Sequence, residues 1–128
     1  TIDRRKIAQR LNDQTSPHKK LNVCIQVNID NDANKAGINA DQLNDLSKAI
    51  SELPNLSLRG LMTVPKANQS EVQLTASFAH MTALFADMKK RYSSVDTLSI
   101  GMSDDMQNAI NNGTTMVRVG TAIFGLRN

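Results

Sequence analysis

The sequence predicts an α/β protein in which four parallel strands alternate with helices, and three observations lead there. Runs of β-branched and aliphatic residues recur at Leu21–Ile29, Leu56–Val64, Val95–Gly101 and Thr115–Val119. Amphipathic segments with helical spacing and recognisable caps stand between them, and the connecting turns are short. Single helices between successive strands imply right-handed crossovers and a parallel sheet. Four such units fit a small open sheet or half of an eight-stranded barrel. Repeat length favours the half-barrel: strand starts near positions 21, 56, 95 and 115 step at the pace of a TIM-type (β/α)8 barrel of about 250 residues.

Each element has its own signal. Asp3 is placed to cap a helix through Ile7, Ala8 and Leu11 that ends near Pro17. Leu21–Ile29 reads as a strand with both faces largely buried, and Cys24 within it as a small buried thiol. Asn39 with Gln42 forms a capping box. Leu43, Leu46, Ile50 and Leu53 follow at helical spacing until Pro54 stops the helix. Leu56–Val64 closes at Pro65. Ser70 with Gln73 makes a second capping box, and Leu74, Phe78, Met81, Phe85, Met88 and Tyr92 then form one apolar stripe on a long helix. After Val95–Gly101, Ser103 is a candidate N-cap, with Asp104 and Asp105 in the first turn, where the helix dipole favours carboxylates. Asn112-Gly113 ends that helix before Thr115–Val119.

The whole chain narrows the function classes. At 128 residues it fits a single domain, and a hydrophobic fraction of 40% with 21% charged residues is ordinary for a globular protein. The net charge of +3 is mild. Its basic clusters, Arg4-Arg5-Lys6, Lys19-Lys20 and Lys89-Lys90-Arg91, carry no interleaved aromatics for stacking bases, so a nucleic-acid partner is not expected. A lone cysteine gives no disulfide framework and points to the cytoplasm. No apolar run approaches a membrane span, and no signal-peptide pattern opens the chain. It starts at Thr1, in charged helical sequence, which suggests a piece of a longer protein.

In parallel α/β folds chemistry gathers at the carboxyl ends of strands. There Ser103 offers a hydroxyl, and Arg118 a permanent cation whose planar fork suits phosphate. Gly120 lets the backbone approach an oxyanion, and Thr121 adds a hydroxyl and an N–H. These four fit a phosphate cradle of the kind barrels build after their last two strands. The plainer alternative is that Ser103 only caps a helix and Arg118 pairs with a carboxylate. Asp104 and Asp105 count against the cradle unless they point to the outer face. Lys66 and Lys35 follow strands on loops and read as ordinary solvated lysines. His18 and His80 have no ligand at metal spacing, so neither a metal site nor a catalytic residue is expected.

These residues also carry a resemblance. Asn34-Lys35-Ala36-Gly37, Leu58–Met62, Leu98–Met106 and Met116–Gly125 resemble, in order and spacing, the pyridoxal phosphate homeostasis proteins. That family's single-domain barrel is similar to the amino-terminal domain of bacterial alanine racemase. The resemblance runs from Thr1 to Asn128 and implies the carboxy-terminal half of the barrel, its last four strands and helices. It implies a non-catalytic protein of vitamin B6 and amino-acid balance whose cofactor is pyridoxal 5′-phosphate, the phosphate being held by Ser103, Arg118, Gly120 and Thr121. The family bonds the cofactor's aldehyde to a lysine in a Ser-Lys pattern at the end of the first barrel strand, and no such pair stands at a strand end here. This chain alone is therefore expected to hold the cofactor weakly or not at all. A half-barrel exposes interior side chains and strand edges, so it should pair with a second copy or with a missing amino-terminal half. The alternatives within the fold are a racemase-like enzyme, for which Tyr92 is the sole tyrosine and lies in a helix stripe, or an enzyme for another small phosphate ester.

Overall fold

The structure is a computed structural model, and it describes residues 1–126. It contains a four-stranded, wholly parallel sheet in sequential order: β1 (Leu21–Gln26), β2 (Leu56–Met62), β3 (Thr97–Met102) and β4 (Met116–Arg118). Helix α1 (Arg5–Gln14) precedes β1, and a 3-10 turn at Ala40–Gln42 leads into α2 (Leu43–Ser51). Helix α3 (Glu71–Arg91) joins β2 to β3, α4 (Met106–Asn111) joins β3 to β4, and α5 (Thr121–Phe124) follows β4. A sequential order has no switch point, so successive right-handed crossovers keep the helices on one side of the sheet. Helix α2 packs on β2, α3 on β2 and β3, and α4 on β3.

One core forms between that side and the helices. It takes Val23, Ile25 and Val27 from β1 and its extension, Leu58 and Leu61 from β2, and Leu98 and Ile100 from β3. The α3 stripe meets them with Phe78, Met81, Phe85 and Met88 buried, and with Leu74 and Tyr92 partly buried at its ends. Both capping boxes form as expected: Asn39 N donates to Gln42 Oε1 at 3.1 Å, and Gln73 N donates to Ser70 Oγ at 3.2 Å.

The opposite side of the sheet differs from the expectation. Leu21–Gln26 is buried on one face only; Cys24 and Gln26 are half-buried, and Asn22 is exposed. Burial raises the Cys24 thiol pKa, yet the thiol is not fully enclosed. The face opposite the core therefore presents mainly polar groups, with Met62 and Met116 as apolar exceptions, and not the bulky apolar residues that fill a barrel interior. Asp3 does not cap α1, whose N-cap is Arg4 without a side-chain bond. Its carboxylate accepts from Gly37 N at 3.2 Å. Ile2 is 1% exposed and bridges Ile25 in parallel, so residue 2 extends the sheet beyond β1.

Register slips once within the first pair: Val23 faces Leu58, but Cys24 faces Gly60, so Arg59 is an extra residue in β2. Gly60 has φ +157° and packs so closely on β3 that an added Cβ would sit 1.6 Å from the Thr97 carbonyl oxygen. The bulge delivers Arg59 to Asp96, at the amino end of β3. Its Nε donates to Oδ1 at 3.0 Å, and its Nη2 donates to Oδ2. That forked bond holds the Asp96 carboxyl below the usual carboxylate range.

Candidate functional site

The carboxyl ends of β2, β3 and β4 enclose a cleft of about 510 Å³ lined by Ser103, Arg118, Gly120 and Thr121, all four of the residues singled out in the sequence. Lys35 and Lys66 line it as well. Other grooves of about 590 and about 700 Å³ lie along α1 and α2, the first reaching Ala36, Gly37 and Ile38 beside the end of β1. They contain no buried, unpartnered polar side-chain atom, whereas the cleft does.

That atom is Arg118 Nε, the only one of its kind among the described residues. Arg118 is half-buried near the end of β4. Its Nη2 donates to the Thr63 carbonyl at 2.7 Å, across β3, at the end of β2. The guanidinium thus has one backbone acceptor and no carboxylate within ion-pair distance. Burial lowers its pKa, and Asp105 opposes that shift. A half-buried guanidinium whose buried Nε has no acceptor is costly unless another acceptor reaches it.

Ser103 is not the cap of α4, which begins at Met106 behind Asp105. Its hydroxyl accepts instead from Ala122 N of α5 at 3.3 Å, tying the β3–α4 loop to the segment after β4. Asp104, which is exposed, and Asp105 both line the cleft; Asp105 Oδ1 accepts from Met102 N at 2.6 Å and so closes the turn after β3. A Cβ built on Gly120 meets nothing within 4 Å, which leaves the space over its backbone open to a ligand atom. Gly101 is the opposite case: at φ +97°, a Cβ there would lie 2.4 Å from that of Ala109, so hydrogen alone lets α4 sit against the floor of the cleft.

The loops that carry the two lysines are braced by side chains at the end of β1, which the sequence reading did not single out. The Asn28 side chain bonds Asp32 N and O at 3.0 and 2.8 Å, and Lys35 O at 3.3 Å. Asp30 accepts from Lys66 N at 2.7 Å, from Gln69 Nε2 at 3.0 Å, and from Ser77 Oγ. The one Ser-Lys dipeptide, Ser47-Lys48, lies within α2, where Ser47 Oγ donates to Leu43 O. Among the described residues no cluster of His, Cys, Asp and Glu could hold a metal, and no helix is long and apolar enough to cross a membrane.

A singly wound parallel α/β sheet with a polar, arginine-bearing cleft at its strand ends defines a class of fold, the parallel α/β proteins that open a cleft at the carboxyl ends of their strands. Within that class the chain belongs to the family described as alanine racemase, N-terminal domain, whose model matches residues 1–128. It is 51% identical over 128 residues to the pyridoxal phosphate homeostasis protein of Escherichia coli strain K12, an alignment covering 99% of this chain and 55% of that protein. The family read from the motifs therefore stands, and the chain spans about half the length of the curated relatives it matches. PipY of Synechococcus elongatus solved without PLP superposes with TM-score 0.89 at 30% identity, over 98% of this chain and 60% of that one. PipY with PLP bound gives 0.73 at 28% identity, over 94% and 54%. Alanine racemase from Corynebacterium glutamicum, 16% identical with TM-score 0.72 over 94% of this chain and 34% of its own, shares the fold.

Proposed function

We propose that this chain forms the phosphate-binding half of a pyridoxal 5′-phosphate carrier in vitamin B6 and amino-acid homeostasis, a protein that binds the cofactor without catalysing a reaction of its own. The observation that carries the reading is Arg118: a buried Nε without a partner, on the wall of a cleft that also holds Ser103, Gly120 and Thr121. A phosphate dianion fits that donor set, because it brings acceptors for the guanidinium, both hydroxyls and the backbone amides beside Gly120. When bound, the cofactor supplies an amine-reactive aldehyde on an aromatic ring. The residues of this chain would hold its phosphate and fix its orientation. A racemase would need a base on the opposite face of the ring, and Tyr92 cannot serve, since it packs against the core at the end of α3.

The same proposal takes the sheet as the last four strands and helices of a (β/α)8 barrel. Sequential strand order and helices on one side support it. So does the edge beyond β4, where Ile123, Phe124 and Leu126 are 68%, 85% and 83% exposed, a patch that the remaining strands and helices of a barrel would cover.

The test is a titration of the protein at its natural length with pyridoxal 5′-phosphate and with pyridoxal, repeated in the presence of inorganic phosphate. The phosphorylated ligand should bind roughly ten- to a hundred-fold more tightly, and inorganic phosphate should compete with it. Equal affinity for both ligands would overturn the reading.

A further inference from the structure

Lys66 enters the cleft on a segment that is fixed unusually firmly for a loop. Pro65 starts it, and Asn68 turns it in the left-handed region at φ +60°. One carboxylate holds it at two points: Asp30 Oδ2 accepts from Lys66 N at 2.7 Å and from Gln69 Nε2 at 3.0 Å. Gln69 Nε2 also donates to Lys66 O at 2.9 Å, so both backbone polar groups of Lys66 are engaged. The other oxygen of Asp30 is anchored by Ser77 Oγ, a residue of α3 that is 9% exposed. The chain thus spends a partly buried carboxylate on setting the backbone of one exposed lysine.

The charges around the cleft indicate what the arrangement achieves. Lys35, Lys66 and Arg118 line it, and so do Asp104 and Asp105. With Asp30 beside them, bonded to the Lys66 amide, three cations stand against three carboxylates, and without Lys66 the cleft would be net negative. A dianionic ligand would then gain nothing from the field at the mouth of its own site.

We propose that Lys66, set in place by the Asp30 clip, is a ligand-binding residue that tips the cleft toward phosphorylated ligands, with Asp30 as its positioning residue. The inference rests on the reading of the cleft as a pyridoxal 5′-phosphate site and adds to it a residue outside the Ser103, Arg118, Gly120 and Thr121 cradle.

The experiment measures affinity for pyridoxal 5′-phosphate and for pyridoxal in the natural-length protein carrying Lys66→Met, Lys66→Arg, Asp30→Asn, or Asp30→Asn with Lys66→Met. Lys66→Met should weaken the phosphorylated ligand roughly twofold to fivefold, leave pyridoxal unchanged, and lose its effect as salt is raised. Lys66→Arg should keep most of the affinity. Asp30→Asn is the sharper variant, because removing a carboxylate near the cleft would tighten a dianion by charge alone. A positioning role predicts weaker binding instead, and Lys66→Met should add nothing in the double variant. Unchanged binding in Lys66→Met, tighter or unchanged binding in Asp30→Asn, or additive losses in the double variant would each overturn the inference. A wild type that fails to distinguish the two ligands removes the cleft reading itself and this inference with it; a discriminating wild type with an indifferent Lys66→Met overturns this inference alone.

Discussion

Arg59 and Arg118 stand near opposite ends of one parallel sheet and are partnered in opposite ways. Arg59 makes a forked ion pair with Asp96, and that bond raises its pKa. Arg118 has a single carbonyl, a buried Nε without a partner, and a pKa lowered by burial. The first arginine has what it needs from the chain itself, so it belongs to the frame. The second is left short at the strand ends, where parallel folds place their ligands. Sequence type alone does not separate the two; their acceptors do.

The largest expected effect breaks the framework end. Gly60→Ala drives a Cβ into the Thr97 carbonyl at 1.6 Å and disturbs the bulge that delivers Arg59. Urea unfolding should show a loss of ~3 kcal/mol or more, in the range of strained backbone sites; a variant within ~0.5 kcal/mol of wild type would mean the bulge is plastic. A smaller effect sharpens the cleft end. Ser103→Ala removes the acceptor for Ala122 N and one hydroxyl of the cradle. It should weaken pyridoxal 5′-phosphate roughly twofold to tenfold, measured by fluorescence titration, with unfolding nearly unchanged. The smallest effect concerns Asp96. Its folded pKa lies below the unfolded value of about 3.9. The stabilisation it gives is therefore complete above about pH 4 and fades as pH falls through the folded value. Asp96→Asn should be slightly less stable than wild type near pH 7, and the two thermal midpoints should converge in acid. A difference that grows on acidification would reverse the sign and discard the pairing as its source.

How far the sequence reaches depends on how local each cause is. The capping boxes at Asn39 and Ser70 are three-residue devices, and the α3 stripe is a matter of spacing, so all were readable. The strand positions were readable for the same reason. The one-sided burial of β1 was also present in the alternation of Val23, Ile25 and Val27 with Asn22, Cys24 and Gln26, and the apolar run obscured it. What eluded the reading is non-local. Ser103 finds its partner in Ala122, 19 residues away, and Asp30 bonds Lys66, Gln69 and Ser77 across 36 to 47 residues. The extra residue at Arg59 exists only relative to β1, and Ile2 joins the sheet only because Ile25 is beside it. That Ser103, Arg118, Gly120 and Thr121 share one cleft was legible because strand ends can be found from sequence and the chemistry of these residues is explicit. The carboxylates beside them were legible too, but not the turn that brings Asp105 into the cleft wall.

The most direct measurement compares the two arginines. Affinities for pyridoxal 5′-phosphate and for pyridoxal, determined calorimetrically in the natural-length protein, give a ratio that isolates the phosphate. Arg118→Ala should collapse that ratio, weakening the phosphorylated ligand on the order of ten- to a hundred-fold, while Arg118→Lys recovers part of it because a point charge cannot make the forked contact. Arg59→Ala should leave the ratio intact, since its guanidinium is taken up by Asp96. Equal weakening of both ligands by Arg118→Ala, or a ratio lost in Arg59→Ala, would contradict the assignment of phosphate recognition to the cleft.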